Sequence, residues 1–333
     1  MIRRHIIMSA AAATVMLSSC SGDKSKPSPT PTATATPTPT PTASPTYAAL
    51  PLAATAAAEF TTINASTNFT GDPTAGAVTL GAWGTESRSD RVRLAVSGAI
   101  ATAGTNYVIR EATEESRFVP ADLTTTSAAG NQEYVFRTTS TATGALTGNF
   151  SQLEFLNNTI TGSVTSDTLL GSLARVSYGN WYRAESAVGA KRLTYTVFGY
   201  PTAATDMPTT GTQAYTVAVR GRVVNNAGGV TTINTIGGTA TVSVNFSTGL
   251  VDITFNLTQT TAGGATAAYA TFAAQGAIPA GQNQFTGAFA SGAPLSGTIA
   301  GGFFGSQGAE IGITFAGSGT NARLVGEVVG KKS

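Results

Sequence analysis

The chain has few of the side chains that enzymes use most often for covalent or metal chemistry. Its 333 residues include one cysteine, Cys20, and one histidine, His5. A single cysteine has no intramolecular disulfide partner. The residues around this thiol indicate its role.

The residues before Cys20 predict a secretory signal peptide over residues 1–19. Residues 3–5 are Arg, Arg and His, residues 6–17 form a short apolar stretch, and two serines follow. This stretch is too short and too rich in Ala and Ser for a spanning helix. One interpretation of this segment is a plain signal peptide followed by an incidental cysteine; the other is a site of lipid attachment at Cys20.

The sequence Leu17-Ser18-Ser19-Cys20 resembles the bacterial lipobox. The resemblance implies cleavage before Cys20, a diacylglycerol on its thiol and acylation of the new amine. Two or three acyl chains anchor a protein firmly, since each buried CH₂ contributes about 0.8 kcal/mol. Ser21, in place of Asp, implies delivery to the outer membrane. We expect a lipid-anchored protein at the cell outer membrane, exposed at the surface.

The processed chain would contain no histidine, because His5 leaves with the signal peptide. It would contain no free thiol, because the lipid caps Cys20 as a thioether. The usual zinc ligand sets and histidine-based nucleophile systems then cannot be built. Haem could be held only by a Tyr or in an apolar slot. No compact acidic motif indicates carboxylate-pair hydrolysis. The sequence therefore predicts a non-catalytic protein with no metal site and no cofactor besides the covalent lipid on Cys20.

Charge and composition exclude a nucleic-acid partner and predict an exported all-β protein. The whole chain has a formal net charge of +2, and loss of Arg3 and Arg4 leaves acids and bases balanced. There is no basic stripe or polybasic membrane patch. Thr, Gly, Ala, Ser and β-branched residues are abundant throughout the chain.

Residues 20–46 are predicted to form a lipidated tether. This segment has almost no apolar side chains larger than alanine and holds half of the chain's 14 prolines. Such a composition favours extended polyproline II over a packed core. At about 3.1 Å per residue, the tether could extend roughly 80 Å.

Short alternating segments separated by turn residues dominate the rest of the chain. In residues 242–257, Val242, Val244 and Phe246 share one face, and Ser247-Thr248-Gly249 turns the chain into a second alternating run. This pattern predicts an antiparallel hairpin with one dry side. The two strands of this hairpin and six comparable segments give eight strands. The six segments are 213–223, 268–277, 284–290, 295–304, 309–316 and 322–329. Eight strands suffice to close a filled barrel.

Residues 301–315, GGFFGSQGAEIGITF, resemble the GxFYGPxAxEhGG signature of transferrin-binding protein B-like surface lipoproteins. Ser306 stands where that signature has Pro, and Ile313 where it has Gly. The closing run 323–332 resembles the final strand of the family, and residues 207–221 resemble the strand that opens its barrel. The resemblance covers residues 205–333 well.

The resemblance implies an all-β protein with an N-terminal β-rich handle domain, 47–204, followed by a C-terminal eight-stranded antiparallel β-barrel, 205–333. Family members bind different ligands, including transferrin, haem or haem proteins, and complement regulators, so fold does not fix the ligand. The resemblance favours surface capture of a nutrient or a carrier protein, in the iron or haem acquisition class. Partners would be a protein or haem-carrier ligand, with an outer-membrane receptor or surface-export translocon. The alternative is a structural or adhesive envelope lipoprotein without a specific ligand.

The candidate partner-binding residues are Tyr178, Trp181, Tyr182 and Arg183. Aromatic residues and Arg are enriched in binding hot spots. In one strand, alternation places Tyr178 and Tyr182 on one face and the other two residues on the opposite face. The alternative interpretation is a packed aromatic cluster where the two domains meet.

A dense set of charged residues between Glu86 and Arg117 is a second candidate region. It is either a solvated face or a set of loops that contacts a partner. For Phe303 and Phe304, we predict barrel core.

Overall fold

The computed structural model describes residues 44–53, 56–95, 106–111, 114–125, 133–139, 150–159 and 167–333. The predicted signal peptide, Cys20 and the tether as far as Ala43 lie outside these residues. Residues 44–333 form one compact unit. The division into domains at 47–204 and 205–333 stays a prediction.

The first eight strands form one antiparallel sheet, in the order β4-β3-β2-β1-β8-β7-β6-β5. Their bounds are β1 Ala57–Thr70, β2 Thr79–Ala95, β3 Asn106–Glu111, β4 Glu114–Phe118, β5 Glu133–Thr139, β6 Phe150–Leu156, β7 Val176–Ala184 and β8 Ala190–Gly199. The sheet curls so far that Leu123, just after β4, pairs with Phe136 on β5, the opposite edge strand. Its concave side encloses a largely aromatic core that includes Phe60, Tyr107 and Phe155.

The next eight strands close into a barrel, in which the last strand pairs with the first. Their bounds are β9 Thr212–Ala227, β10 Val230–Asn245, β11 Leu250–Thr260, β12 Thr266–Ala277, β13 Gln284–Phe289, β14 Ser296–Phe304, β15 Glu310–Gly319 and β16 Ala322–Lys332. Single 3₁₀ turns lie at Pro120–Asp122, Asn157–Thr159, Leu170–Ser172, Ala204–Asp206 and Ser306–Gly308. The predicted all-β fold with a C-terminal eight-stranded antiparallel barrel is confirmed.

The hairpin of β10 and β11 shows why the sequence folds this way. Val244 lies opposite Val251, and Val242 lies opposite Ile253, in the register that the alternation predicts. All four side chains are buried in the barrel interior. Phe255, on the same face, is fully buried and packs against Phe272 and Phe315 at ring-centroid distances of 5.0 Å each.

The first strand of the predicted hairpin is longer than its alternating pattern indicates. β10 begins at Val230, well before the predicted hairpin, because Gly238 lets the strand continue through a positive φ of 106°. A Cβ there would lie 2.2 Å from the Asn256 carbonyl oxygen.

One face of the sheet packs on the outside of the barrel, and we call this contact the seam. Ala65, Tyr182 and Leu193 of the sheet pack there against Val224 and Val325 of the barrel. Phe303 and Phe304 illustrate the two sides of the barrel wall. Phe303 is interior core, as predicted, whereas Phe304 faces outward and is buried by the sheet.

Glu310, the acid of the family-like signature, fastens the two sheets together. Its carboxylate is 6% exposed and accepts the backbone N–H groups of Ala174, Arg175 and Val176 at 2.8, 2.8 and 2.7 Å. Burial raises the pKa of Glu310, although these three donors act in the opposite direction. The signature therefore supplies the joint between β15 of the barrel and the start of β7.

Candidate functional site

The four candidate residues all lie on β7, and their side chains alternate as expected. Tyr178 and Tyr182 face the barrel, where Tyr178 packs with Phe304 and Val329. Trp181 points into the concave core of the sheet. The strand therefore has two buried faces, because the barrel covers one and the curled sheet covers the other.

Burial distinguishes Arg183 from the three aromatic residues. Tyr178 is 0% exposed, and Trp181 and Tyr182 are 1% exposed. The Arg183 side chain remains 31% exposed. The interpretation as a packed aromatic cluster fits the burial of the tyrosines between the two sheets. A partner-binding role for the four residues stays a prediction, and Arg183 is the member that solvent reaches.

Trp181 supports Arg183 from below. Its Nε1 donates a hydrogen bond to Ser151 Oγ at 2.7 Å, and Ser151 Oγ lies 2.6 Å from Ser116 Oγ. The guanidinium carbons of Arg183 and Arg192 lie 6.0 and 5.5 Å from the Trp181 ring centroid. At these distances a cation is attracted to the ring face. The buried indole therefore contacts and positions both guanidinium groups.

The two arginines are neighbours across β7 and β8, since Arg183 lies directly opposite Arg192. Like charges opposite one another destabilise a sheet unless counter-charges intervene. Glu111 and Glu114 provide them: Arg192 Nη2 lies 2.6 Å from Glu111 Oε2 and 2.9 Å from Glu114 Oε2. Glu114 also pairs with Arg183. We call these four side chains the lip cluster.

The lip cluster is partly solvated, and two neighbouring acids disfavour the negative charge of Glu111. Glu114 and Arg192 keep 35% and 25% of their side chains exposed. Burial raises the pKa of Glu111; Arg192 and a hydrogen bond from Thr194 oppose this shift, while Asp90 and Glu86 add to it. The predicted charged region therefore lies largely on strands β2 to β4 and not in loops.

A cleft of about 350 Å³ opens beside the lip cluster, with Glu114, Arg183 and Arg192 in its wall. Lys191 also lines it but is committed elsewhere. Its Nζ donates to the carbonyl oxygens of Gly71, Ser186, Ala187 and Gly189 at 2.8 to 3.2 Å. The accessible charges of the cleft thus belong to the lip cluster and Glu185.

Sequence reasoning missed Arg192. The alternation of β8 alone would place it on the same face as Thr194, but nothing local indicates that β8 pairs with β7 so that Arg192 meets Arg183. That register follows from tertiary structure. Glu111 and Glu114 were part of the predicted charged region, without a specified partner.

A second cleft, of about 530 Å³, lies at the seam between the sheet and the barrel. Its wall includes Gln152 and Tyr182 from the sheet and Arg222 and Asn234 from the barrel. The lining is mostly hydroxyl, carboxamide and methyl groups. The Arg222 charge is balanced by Glu154, whose Oε1 lies 3.3 Å from Arg222 Nη2.

Among the described residues, no cluster of His, Cys, Asp and Glu could hold a metal ion. In the same part of the chain, no helix has the length and apolarity needed to cross a membrane. The covalent lipid predicted on Cys20 falls outside the described residues.

No protein-family model matches the chain, and no curated protein matches it either. Several solved structures do. In fold, the chain is similar to transferrin-binding protein B-like surface proteins. For transferrin-binding protein B from Haemophilus parasuis, the identity is 14%, the match covers 77% of this chain and 47% of that one, and the TM-score is 0.41.

For the haemoglobin receptor HpuA from Kingella denitrificans, the identity is 17%, the coverage is 87% of this chain and 90% of that one, and the TM-score is 0.35. For the N-lobe of lactoferrin-binding protein B from Moraxella bovis, the identity is 13%, the match covers 48% of this chain and 76% of that one, and the TM-score is 0.29. The chain spans about half the length of the transferrin-binding protein B structures it matches, 46% and 47%.

Proposed function

We propose that this chain is a surface-displayed binding lipoprotein of the outer membrane, anchored through Cys20, that captures a nutrient carrier protein of the iron or haem acquisition class without catalysis. The observation that carries the proposal is the lip cluster. It offers two arginines and a glutamate at a cleft, on rigid strands, above a buried tryptophan.

The physical character of the lip cluster favours a protein partner. Arginine side chains held over an aromatic ring resemble the anchors of protein interfaces. The guanidinium N–H groups of Arg183 and Arg192 that are not used by Glu111 and Glu114 can donate to carboxylates of a partner. Because acids and bases alternate within a few ångströms, the cluster would also select orientation and register. The proposed function is of the same class as that of the transferrin-, lactoferrin- and haemoglobin-binding proteins to which the chain is similar. The proposal itself rests on the residues of the lip cluster.

Substitution of Arg183 tests the proposal. Cells displaying the full-length Arg183→Ala variant should capture at least about 30-fold less partner from host serum than wild type, the loss expected for a hot-spot residue of about 2 kcal/mol. The matched control is Arg93→Ala, which removes an exposed arginine of the same sheet that pairs with Glu59 at 2.9 Å. It should leave capture unchanged.

Trp181→Ala and Tyr182→Ala cannot substitute for this experiment. Both side chains are 1% exposed, so each truncation should cost about 3–5 kcal/mol of stability. Loss of capture would then report unfolding. Equal capture by wild type and the Arg183→Ala variant, with thermal unfolding unchanged, would contradict the proposed site.

The structural or adhesive alternative is favoured by a different surface. The outer face of β11 and β12 is exposed and neutral apart from Asp252, with Thr254, Asn256, Thr271 and Gln275 along it. Such a face could contact other envelope components without selecting one solute. Adhesion that persists in the Arg183→Ala variant and is lost when Thr254 and Thr271 are both changed to Lys would favour this second function.

A further inference from the structure

Glu327 lies in the middle of the seam without a partner for its charge. It belongs to β16 on the outer face of the barrel and is 0% exposed. Neither of its carboxylate oxygens has a hydrogen-bond partner among the described residues. Its neighbour Thr314, directly opposite on β15, is also buried and donates its hydroxyl to the Ala300 carbonyl oxygen at 3.4 Å.

From the sheet, Asn180 on β7 lies against Glu327. Asn180 is 2% exposed, and its Oδ1 also lacks a hydrogen-bond partner. Three buried oxygens are therefore unpartnered at one place. An ionised carboxylate offers only acceptors, so it cannot satisfy Asn180 Oδ1. A neutral carboxyl group can, because its O–H donates to Oδ1 while its carbonyl oxygen accepts from the amide Nδ2.

The charges around Glu327 argue against a third carboxylate there. Among the described residues, two other acids of the seam act on Glu327, Glu133 on β5 and Glu154 on β6, and β9 contributes two cations. Arg222 Nη2 lies 3.3 Å from Glu154, and Arg220 Nε lies 3.6 Å from Glu133. Each guanidinium is thus already paired, although Arg220 lies directly opposite Glu327 across β9 and β16.

Three phenols also face this part of the seam, and they do not neutralise an anion. Tyr178 donates to Glu133 Oε1 at 2.6 Å, and the hydroxyls of Tyr182 and Tyr195 lie 2.8 Å apart. Burial raises the pKa of Glu327 well above its usual range, and the nearby Glu133 and Glu154 raise it further, whereas Asn180 and Arg220 act in the opposite direction.

We propose that Glu327 carries a proton at neutral pH and shares it with Asn180, which makes the seam a proton-sensitive clamp between the sheet and the barrel. The bound proton completes the hydrogen bonding of both side chains. It also leaves two carboxylates, Glu133 and Glu154, for the two guanidiniums of β9 in this part of the seam. Loss of the proton would place an uncompensated charge between the packed sheets and loosen them.

The clamp has a defined pH signature. In the unfolded chain a glutamate releases its proton near pH 4.3, whereas the folded chain retains it. The folded state therefore binds one more proton above that pH, and its stability falls as the pH rises until Glu327 ionises in the fold. Over this window the folding equilibrium constant loses about tenfold per pH unit from this group. An ion-paired carboxylate has the opposite dependence.

Glu327→Gln tests the clamp, since glutamine keeps the shape and both hydrogen bonds but cannot ionise. We compare urea unfolding of wild type and variant at about pH 5.5, 6.5 and 7.5. The ratio of their unfolding constants should grow about tenfold per unit, with the variant more stable at the highest pH. Glu59→Gln, at an exposed carboxylate, is the matched control and should show no such growth. A constant ratio, or a Gln variant that is less stable at the highest pH, would overturn the proposal.

Infrared spectroscopy provides a readout that does not depend on stability. At neutral pH, wild type should show the C=O stretching band of a protonated carboxyl group, and Asn180→Ala should shift that band to higher frequency because it removes the acceptor. No such band in wild type would overturn the proposal even if the Gln variant fails to fold. A band that does not move in Asn180→Ala would assign the proton to another acid, with the same consequence.

Discussion

The guanidinium carbon of Arg222 lies 4.2 Å from the ring centroid of Tyr182, across the seam. The same guanidinium donates to both oxygens of Glu154 at 3.3 Å. One barrel side chain thus covers an aromatic ring of the sheet and balances a sheet carboxylate. This contact explains how Tyr182 and Glu154 can both be buried on the barrel-facing side of the sheet.

Arg222→Ala should destabilise the fold by about 3 kcal/mol, because it leaves Glu154 in the seam without its cation. Urea unfolding measures this change. Arg93→Ala serves as the control, since its pair with Glu59 is exposed and should contribute less than about 1 kcal/mol. Equal effects of the two substitutions would show that the seam is solvated and that Arg222 does not hold it.

Glu310→Gln should cost about 2–3 kcal/mol, because one carboxylate oxygen becomes an amide donor that faces backbone N–H donors. The affected bonds run from Ala174, Arg175 and Val176. Asp252→Asn, at an exposed carboxylate of the barrel, should stay within about 0.5 kcal/mol. If the two variants unfold at the same urea concentration, the joint between β15 and β7 contributes nothing.

Phe255→Ala should cost about 3–5 kcal/mol, since the ring is fully buried in the barrel interior. Its neighbour Thr254 is exposed, and Thr254→Ala should change stability by less than about 0.5 kcal/mol. The pair of variants checks the register directly. A reversed order of effects would mean that the strand is shifted by one residue, which moves every side chain to the other face.

The barrel could be predicted from sequence because each strand has one dry face. The alternation of Val251, Ile253, Phe255 and Leu257 with polar residues identifies both the strand and its buried side. The early part of β10 could not be predicted because Gly237 and Gly238 interrupt that alternation. No local pattern shows that a Cβ at Gly238 would meet the Asn256 carbonyl oxygen of β11.

The seam and the lip cluster could not be predicted in the same way. Glu154 and Arg222 are each flanked by small or apolar residues, as solvent-facing side chains of a strand are, so sequence alone does not reveal that the two sheets cover them. Likewise, the aromatic residues of β7 carry no mark of burial on both faces. Only the packing of the curled sheet on the barrel places Arg183 at an accessible lip and its neighbours inside.

Cys20→Ala should release a stable, soluble protein, because the variant lacks the thiol on which the lipid is predicted. Labelled palmitate should enter wild type and not the variant, and the variant should unfold at the same temperature. Incorporation of label into the Cys20→Ala protein would contradict lipid attachment at this residue. Failure of the variant to fold would show that the thiol has a structural role.

The capture of a protein at the lip cluster is the central claim, and site-specific photo-crosslinking tests it most directly. A photoreactive residue replaces Ala190, an exposed residue in the wall of the same cleft, in one full-length, surface-displayed chain and Thr254 in another, and both are illuminated in host serum. We predict one discrete protein adduct from position 190 and none from position 254. The same adducts from both positions, or an adduct from position 254 alone, would contradict the claim.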